Sequence, residues 1–273
     1  MKYSSAQQRQ QKLLLFAGIV GFTVLVGIVI GLFIYRQKMM SDFVYLDEQT
    51  LCPAQSGPNS YTAILIDGSD GFNAIQFSDL IRYLQSVKAS IPTGGLVAVY
   101  APRTLEQTEL LKSVLKICNP GSAEEVSSWN RNPRQIRLRY EEGFSNKLDS
   151  ALQDGLDAQG NDTSPIMEMI QAVAIDAFPA NSESMPKKLV IISDMLHNTS
   201  DYSQYDERLE FNEVITRAFF SHVTADLRGV NVSILYIARR GSEKLQTRGH
   251  ILFWENYFRT MGGNLTLVQR IGG

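Results

Sequence analysis

The sequence is poor in cysteine and histidine, and it lacks an excess of charge of either sign. Its 273 residues include 2 cysteines and 3 histidines, and 26 lysines and arginines stand against 28 aspartates and glutamates. The formal net charge of −2 shows none of the basic excess typical of nucleic-acid binding. The length allows one sizeable domain and an appendage.

Several sequence motifs of enzymes are missing as well. There is no G-x-S-x-G elbow, no HExxH helix and no P-loop. A Ser-His-Asp hydrolase needs a histidine base, and only His197, His222 and His250 are available. We therefore predict that the chain is not an enzyme, and an extracytoplasmic hydrolase is the weakest alternative.

One long apolar run lies near the N-terminus. Residues 13–35, LLLFAGIVGFTVLVGIVIGLFIY, carry no charge and would span roughly 34 Å as a helix, about the thickness of a bilayer core. A cleaved signal peptide is the main alternative, but the run is longer than usual and YRQKMM follows it instead of a small-residue cleavage site. The run predicts an uncleaved signal anchor.

Charges and cysteines around this run indicate its orientation. Three basic residues precede it and two follow it closely, which weakly favours a cytoplasmic N-terminus. Cys52 and Cys118 both lie after the run, and an isolated pair is typical of one disulfide in an oxidising compartment. Two unpaired thiols are the alternative. We predict a single-pass protein of the plasma (inner) membrane, with its C-terminal domain in the periplasm or outside the cell and the bacterial periplasm as the leading case.

The predicted organisation has four parts. Residues 1–12 form a cytoplasmic tail, 13–35 a transmembrane helix, 36–60 a juxtamembrane linker and 61–273 the folded domain. Within the membrane segment, Gly27 and Gly31 form a G-x-x-x-G pattern, which lets two transmembrane helices approach closely and would allow a homo-oligomer. Alternatively, these glycines only reflect the high frequency of glycine in such helices.

The domain alternates between apolar runs of strand length and amphipathic runs of helix length. This alternation predicts an α/β fold with three layers, in which a mostly parallel central sheet carries helices on both faces. Residues 109–118 suit either a short helix or a strand. The predicted strands are 62–67, 96–101, 187–194, 230–238 and 264–271, and the predicted helices are 77–91, 140–156, 165–178, 210–227 and 250–262.

Oxygen-bearing side chains collect where the predicted strands end. Asp67 ends the first strand with Ser69 two residues later, and Asp194 ends the strand KKLVIISD. Thr163 and Ser164, just before a predicted helix, compete to supply another hydroxyl. Because sites in such sheets lie at the carboxyl ends of strands, these oxygens predict a site for Mg²⁺, Mn²⁺ or Ca²⁺. Each residue could also simply cap a turn or helix.

This set resembles the metal-ion-dependent adhesion site of the von Willebrand factor A (VWA) domain, with its Asp-x-Ser-x-Ser strand end, loop threonine and later Asp. The order of elements, LVIISD, and the closing pattern VNVSILYIA…FWENYFRTMGGNLTLV carry the resemblance over about 61–273. It implies a metal held by Asp67, Ser69 and Ser164, with Asp194 bound to it through a water molecule. A carboxylate from the partner would complete the coordination. Two positions depart from the family: Gly71 replaces the second serine, and Met195 stands where many members have glycine.

An enzyme alternative fails at the same strand end. Phosphatases of the haloacid dehalogenase type need a second acid two residues after the first, whereas Ser69 occupies that position and cannot donate a proton at neutral pH. The resemblance therefore implies a membrane-anchored protein-interaction module, with a divalent cation as one way to hold the partner. The alternative is a metal-free structural subunit of a membrane-associated complex. His197, near the same edge, could contact a partner.

Overall fold

The structure is a computed structural model that describes residues 5–41, 45–69, 71–101, 111–122, 132–157, 163–182, 184–205 and 210–272, with the side chains of the first helix described over 15–36. Contacts divide the chain into two compact units, Met1–Tyr45 and Leu46–Gly273. All side chains of the predicted tail, 1–12, lie outside the described residues.

The first unit contains α1, Ser5–Ser41. Within it, Leu15–Arg36 is long and apolar enough to cross a membrane, and all of its side chains are exposed. A signal sequence near the N-terminus can also meet this criterion of length and composition, so the helix agrees with the predicted span without fixing its orientation. The packing role of Gly27 and Gly31 stays a prediction.

The second unit is built on a sheet in the order β3-β2-β1-β4-β5-β6. Only β3 runs antiparallel to its neighbour, and the other described pairs are parallel. Of residues 109–118, left open between helix and strand, Leu115–Cys118 form an edge strand, and residues 109 and 110 lie outside the described residues. The strands are β1 (Tyr61–Ile66), β2 (Leu96–Tyr100), β3 (Leu115–Cys118), β4 (Lys187–Ser193), β5 (Val230–Ile237) and β6 (Asn264–Ile271).

Helices cover both faces of this sheet. Between α3 and α4 the chain continues as a π-helical turn, Arg139–Ser145. Within the described ranges, the α-helices of this unit are α2 (Ala74–Ser90), α3 (Pro133–Leu138), α4 (Asn146–Asp157), α5 (Ile166–Ala177), α6 (Phe211–Val214) and α7 (Arg248–Thr260).

Alternation along each strand divides the core into two layers. In β1, Ile64 and Ile66 pack in the cluster that contains α2 and α4, whereas Ala63 and Leu65 pack in the cluster with α5 and α7. Successive side chains of a strand point to opposite faces, and both faces here are covered, so the strand reads as a continuous apolar run. The predicted α/β class with a mostly parallel sheet is confirmed.

The predicted helix over 210–227 is wrong over most of its length. The chain there forms α6 and a separate 3-10 turn, Ala218–His222, because Arg217 between them has extended dihedral angles (φ −75°, ψ 142°). Phe211 and Phe220 are both buried and meet edge to face, with ring centroids 5.8 Å apart. Two short turns let both rings enter one aromatic cluster, and this tertiary packing overrides the helical periodicity.

A disulfide ties the start of this unit to the sheet. Cys52 and Cys118 are bonded, with their Cα atoms 4.8 Å apart, and the Cys118 N–H donates to the Thr50 carbonyl at 2.7 Å. The unit begins at Leu46, so residues 46–60, which we assigned to the linker 36–60, belong to the same compact unit as the sheet.

Candidate functional site

The register of β1 and β4 brings the first acid against the second strand. Ile66 pairs with Ile192, and the Asp67 N–H donates to the Ile192 carbonyl at 2.8 Å. Both strands are buried almost throughout, so the residues that follow them start inside the protein. Asp67 is only 4% exposed.

Asp67 is satisfied by neutral donors. Its Oδ2 accepts hydrogen bonds from the hydroxyls of Ser164 and Ser193, each at 2.9 Å, and its Oδ1 accepts one from the Ser69 N–H at 3.2 Å. Ser69 therefore contacts this acid through its backbone. A buried carboxylate needs such donors because leaving it unpaired costs several kcal/mol.

The structure distinguishes the two competing hydroxyls. Ser164 is buried and Thr163 is exposed. The backbone of Ser164 exchanges two hydrogen bonds of 2.9 Å with Asn198, in the segment that follows β4. This short ladder holds the Ser164 hydroxyl against Asp67. In the described structure Ser164 does not act as a side-chain cap for α5.

Asp194 is equally buried but has a cationic partner. Its Oδ1 accepts from the Leu196 N–H at 2.9 Å, and its Oδ2 forms an ion pair with Nε of Arg239 at 3.1 Å. Burial, together with the negative charge of Asp67, raises the pKa of Asp194 to about 6. The carboxyl is therefore ionised and paired at neutral pH.

Arg239 comes from a third strand end, just after β5. Its Nη1 donates to the Gly71 carbonyl at 2.5 Å, and the guanidinium lies 5.7 Å from the centre of the Phe72 ring. Its side chain is 14% exposed. One guanidinium thus joins the loop after β1 to Asp194 at the end of β4.

Met195 follows Asp194 in a left-handed backbone conformation, with φ of 63°. This angle explains why a glycine suits the position, since residues with a Cβ adopt it at a cost. The Met195 N–H donates to the Ser193 hydroxyl at 2.7 Å, and its carbonyl accepts from the indole of Trp254 at 2.8 Å. The Met195 side chain is fully buried, so packing offsets the backbone strain.

The histidines near this edge are internal. His197 has no exposed surface, and burial lowers its pKa to about 3. His250 is also buried, bonds the Tyr236 hydroxyl through Nδ1 at 2.6 Å, and has a pKa lowered to about 4, chiefly by burial. His197 therefore packs inside the domain and has no exposed surface for the partner contact that we considered.

The residues at this edge, as arranged, do not fit a divalent ion. Each carboxylate already accepts hydrogen bonds from protein groups, and Arg239 supplies the positive charge beside Asp194. Within the described ranges, no three histidine, cysteine, aspartate or glutamate side chains form a group that could hold a metal. The predicted set of Asp67, Ser69, Ser164 and Asp194 nevertheless lies at one edge of the sheet. Thr163, the other hydroxyl that we considered, is exposed.

Two important residues were missed from the sequence. Ser193 directly precedes Asp194 after the apolar run LVII of its strand, and the parallel register places it opposite Asp67. Arg239 follows β5 at the same edge as the two acids. Both could have been found by examining every polar residue at a strand end rather than only the acids.

A groove adjoins this edge between the segment after β4 and the start of α7. It has a volume of about 290 Å³, and its lining combines exposed apolar and charged side chains. Its lining includes the buried Leu196 and the exposed Glu210, Lys244 and Leu252, of which Leu252 is 46% exposed.

In the comparisons with known proteins, the chain is similar only to solved structures. Neither a protein-family model nor a curated protein matches the chain. The VWA domain of SpRpn10 is 12% identical with a TM-score of 0.37, over 78% of this chain and 88% of that one. Proximal thread matrix protein 1 from the mussel byssus is 13% identical with a TM-score of 0.35, over 67% of this chain and 38% of that protein.

A second structure of the mussel protein carries zinc in its metal-ion-dependent adhesion site. It is 11% identical with a TM-score of 0.36, over 76% of this chain and 48% of that one. This chain therefore spans less than half the length of the mussel protein. At this level of similarity the solved structures that resemble the chain include VWA domains.

Proposed function

We propose that the chain is a single-pass, membrane-anchored interaction module whose VWA-like domain lies outside the cytoplasm and binds a protein partner without metal. The observation that carries the anchoring is the apolar stretch Leu15–Arg36, none of which is buried. A separate compact unit starts at Leu46. An exposed apolar helix of this length is stabilised by lipid rather than by water.

The disulfide supports the location outside the cytoplasm. Cys52 and Cys118 are bonded in the structure, and such bonds persist in oxidising compartments but are rare in the cytosol. On the chain-entropy model, closing a loop of this length stabilises the domain by about 4 kcal/mol. The bond therefore supports a location in a compartment where disulfides form.

The carboxyl edge of the sheet is the proposed contact surface. The groove beside it is lined by exposed Leu252 together with the charged, exposed Glu210 and Lys244, a mixture of apolar and polar groups found at protein interfaces. A hydrolase is less well supported, because the hydroxyls of Ser164 and Ser193 donate to Asp67. His197 and His250 are buried, so neither is placed to receive a proton from an incoming substrate.

Membrane insertion and topology can be tested together. The full chain should stay in the pellet after carbonate extraction of membranes, and protease added to the outer side should degrade the domain. The extracted chain should change gel mobility on reduction, because Cys52 and Cys118 are bonded. A chain released by carbonate, or protected from protease added to spheroplasts whose plasma membrane is intact, would contradict the proposal.

The contact surface can be tested with a photo-crosslinking residue at Leu252, and with a matched control at Ile175. Both side chains are exposed and apolar, at 46% and 69%, and both lie on helices. Ile175 lines a cavity at the opposite edge with Lys187 and Gly229, where β4 and β5 begin. We expect a discrete crosslinked protein from Leu252 in native membranes, and equal yields from both positions would count against the carboxyl edge.

A further inference from the structure

The carboxyl edge of the sheet already contains a cation supplied by the chain itself. Asp194 is 2% exposed and the Arg239 side chain 14% exposed, with 3.1 Å between Oδ2 and Nε. Two buried carboxylates at one edge repel each other and favour a positive charge between or beside them. In a metal-ion-dependent site that charge comes from a divalent ion.

Hydrogen bonds to a buried side chain hold Arg239 in its position. Its backbone N–H donates to Oε1 of Gln246 at 2.8 Å, and Gln246 is itself 3% exposed. The Gln246 amide group donates in turn to the carbonyls of Asp194 at 3.1 Å and Ile237 at 2.7 Å. One buried amide therefore ties the residue after β5 to the acid after β4.

The guanidinium also reaches the loop that would carry the other metal ligands. It donates to the Gly71 carbonyl and lies over the Phe72 ring. Gly71 is the position at which the expected second serine is missing. The loop after β1 is thus held by a planar donor, which can bond two separate acceptors at once.

We propose that Arg239 is a resident cation that takes the place of a divalent ion at this edge, so that the domain folds and presents the edge without metal. The partner would then meet a surface whose charge is set by the chain and not by the surrounding concentration of metal. Arg239 would have this role whether or not the chain is anchored in a membrane.

The test uses the full chain in detergent, with Mn²⁺ as the probe, and Arg239→Gln as the main variant. Arg240→Gln is the matched control, because Arg240 is an exposed neighbour and loses the same charge. The double variant Arg239→Gln with Asp194→Asn removes the anion together with the cation. The readouts are the thermal midpoint in EDTA and in Mn²⁺, and Mn²⁺ binding followed by electron paramagnetic resonance.

We expect the wild type and Arg240→Gln to have the same midpoint in EDTA and in Mn²⁺, with no bound Mn²⁺. Arg239→Gln should lose on the order of 10 °C in EDTA, because it leaves a buried carboxylate unpaired. It should regain part of that loss and bind Mn²⁺ when the ion is added. The double variant should recover at least half of the thermal midpoint that Arg239→Gln loses, and its midpoint should not change when Mn²⁺ is added.

Three results would overturn the proposal. The wild type could bind Mn²⁺ or lose stability in EDTA, Arg239→Gln could behave like Arg240→Gln, or Arg239→Gln could be destabilised without responding to Mn²⁺. If Arg239→Gln does not fold at all, the double variant decides. A folded double variant supports the role of Arg239 as the counter-charge, and an unfolded one contradicts it.

Discussion

Asp67 and Asp194 end neighbouring parallel strands and are almost equally buried, yet they are stabilised in different ways. Asp67 accepts from two serine hydroxyls and one backbone N–H. Asp194 accepts from one backbone N–H and a guanidinium. The first acid uses dipoles from its surroundings, and the second uses a full opposite charge.

The difference follows from the presence of two negative charges at one buried edge of the sheet. Hydroxyl and amide dipoles can satisfy one carboxylate, but burial and, after it, the charge of Asp67 raise the pKa of the second carboxylate, Asp194. A counter-charge then becomes worth its own desolvation. Because Arg239 follows β5, this requirement links the ends of three strands, β1, β4 and β5.

The largest expected effect comes from removing Asp194, the acid that is paired with a positive charge. Asp194→Ala leaves Arg239 without its carboxylate and the Leu196 N–H without its acceptor, so we expect a loss of about 3–5 kcal/mol in the free energy of unfolding. Asp67→Ala should cost about 2 kcal/mol, because the neutral donors can turn to other acceptors. Urea unfolding followed by the fluorescence of buried Trp254 measures both. Equal losses would remove the distinction between the two acids.

The serine donors of Asp67 should differ from each other. Ser193 donates to Asp67 and accepts from the Met195 N–H, whereas the Ser164 hydroxyl donates to Asp67. Ser193→Ala should therefore cost about 2–3 kcal/mol and Ser164→Ala about 1 kcal/mol. The same unfolding measurement compares them, and a larger loss for Ser164→Ala would show that the turn at Met195 does not depend on Ser193.

The coupling between the acids can be read from pH. The folded-state pKa of Asp194, about 6, lies above its ordinary value of 3.8. The stability that this group contributes is thus fully present below the ordinary value and is lost as pH rises through 6. Buried His197 and His250, with lowered pKa values, act in the opposite sense: they remove stability as pH falls below their ordinary value.

Comparison with Asp67→Asn cancels the histidine contributions. Removing the charge of Asp67 lowers the pKa of Asp194, so the wild type should gain about 1 kcal/mol relative to the variant between pH 7 and about pH 5. Unfolding free energies of both proteins across this range provide the measurement. Parallel curves would mean that the two acids are not coupled.

The smallest effect is expected at Ser69. Its contact with Asp67 uses the backbone N–H, which alanine keeps, so Ser69→Ala should change the free energy of unfolding by less than about 0.5 kcal/mol. The change should be the same in EDTA and in Mn²⁺. A loss that appears only with Mn²⁺ present would restore Ser69 as a metal ligand and contradict the metal-free arrangement.

The sequence predicted the fold better than the site. Continuous apolar runs such as TAILI and LVIIS predict strands buried on both faces, and the structure contains them within a residue or two. The acids were placed at the correct edge because parallel strands share one carboxyl edge. The partners of those acids were not identified, since hydrogen bonding of Asp67 by Ser193 depends on the register between two strands 126 residues apart.

Helical periodicity gave a wrong prediction where the packing of individual aromatic rings determines the backbone conformation. The segment 210–227 has helical spacing, but burial of Phe211 and Phe220 in one aromatic cluster divides it at Arg217. Similarly, Met195 could only be noted as a departure from glycine. Its left-handed backbone is held by Ser193 and Trp254, which lie on different elements.

The sequence by itself determined the long apolar helix, the α/β alternation and the edge of the sheet at which Asp67 and Asp194 gather, because each depends on local hydrophobic pattern and strand direction. Only the tertiary structure decided that Ser164 rather than Thr163 meets Asp67, that the two cysteines are within bonding distance, and that Arg239 pairs with Asp194. Charge pairing at a buried edge depends on distances between strand ends, and those distances are set by packing and register.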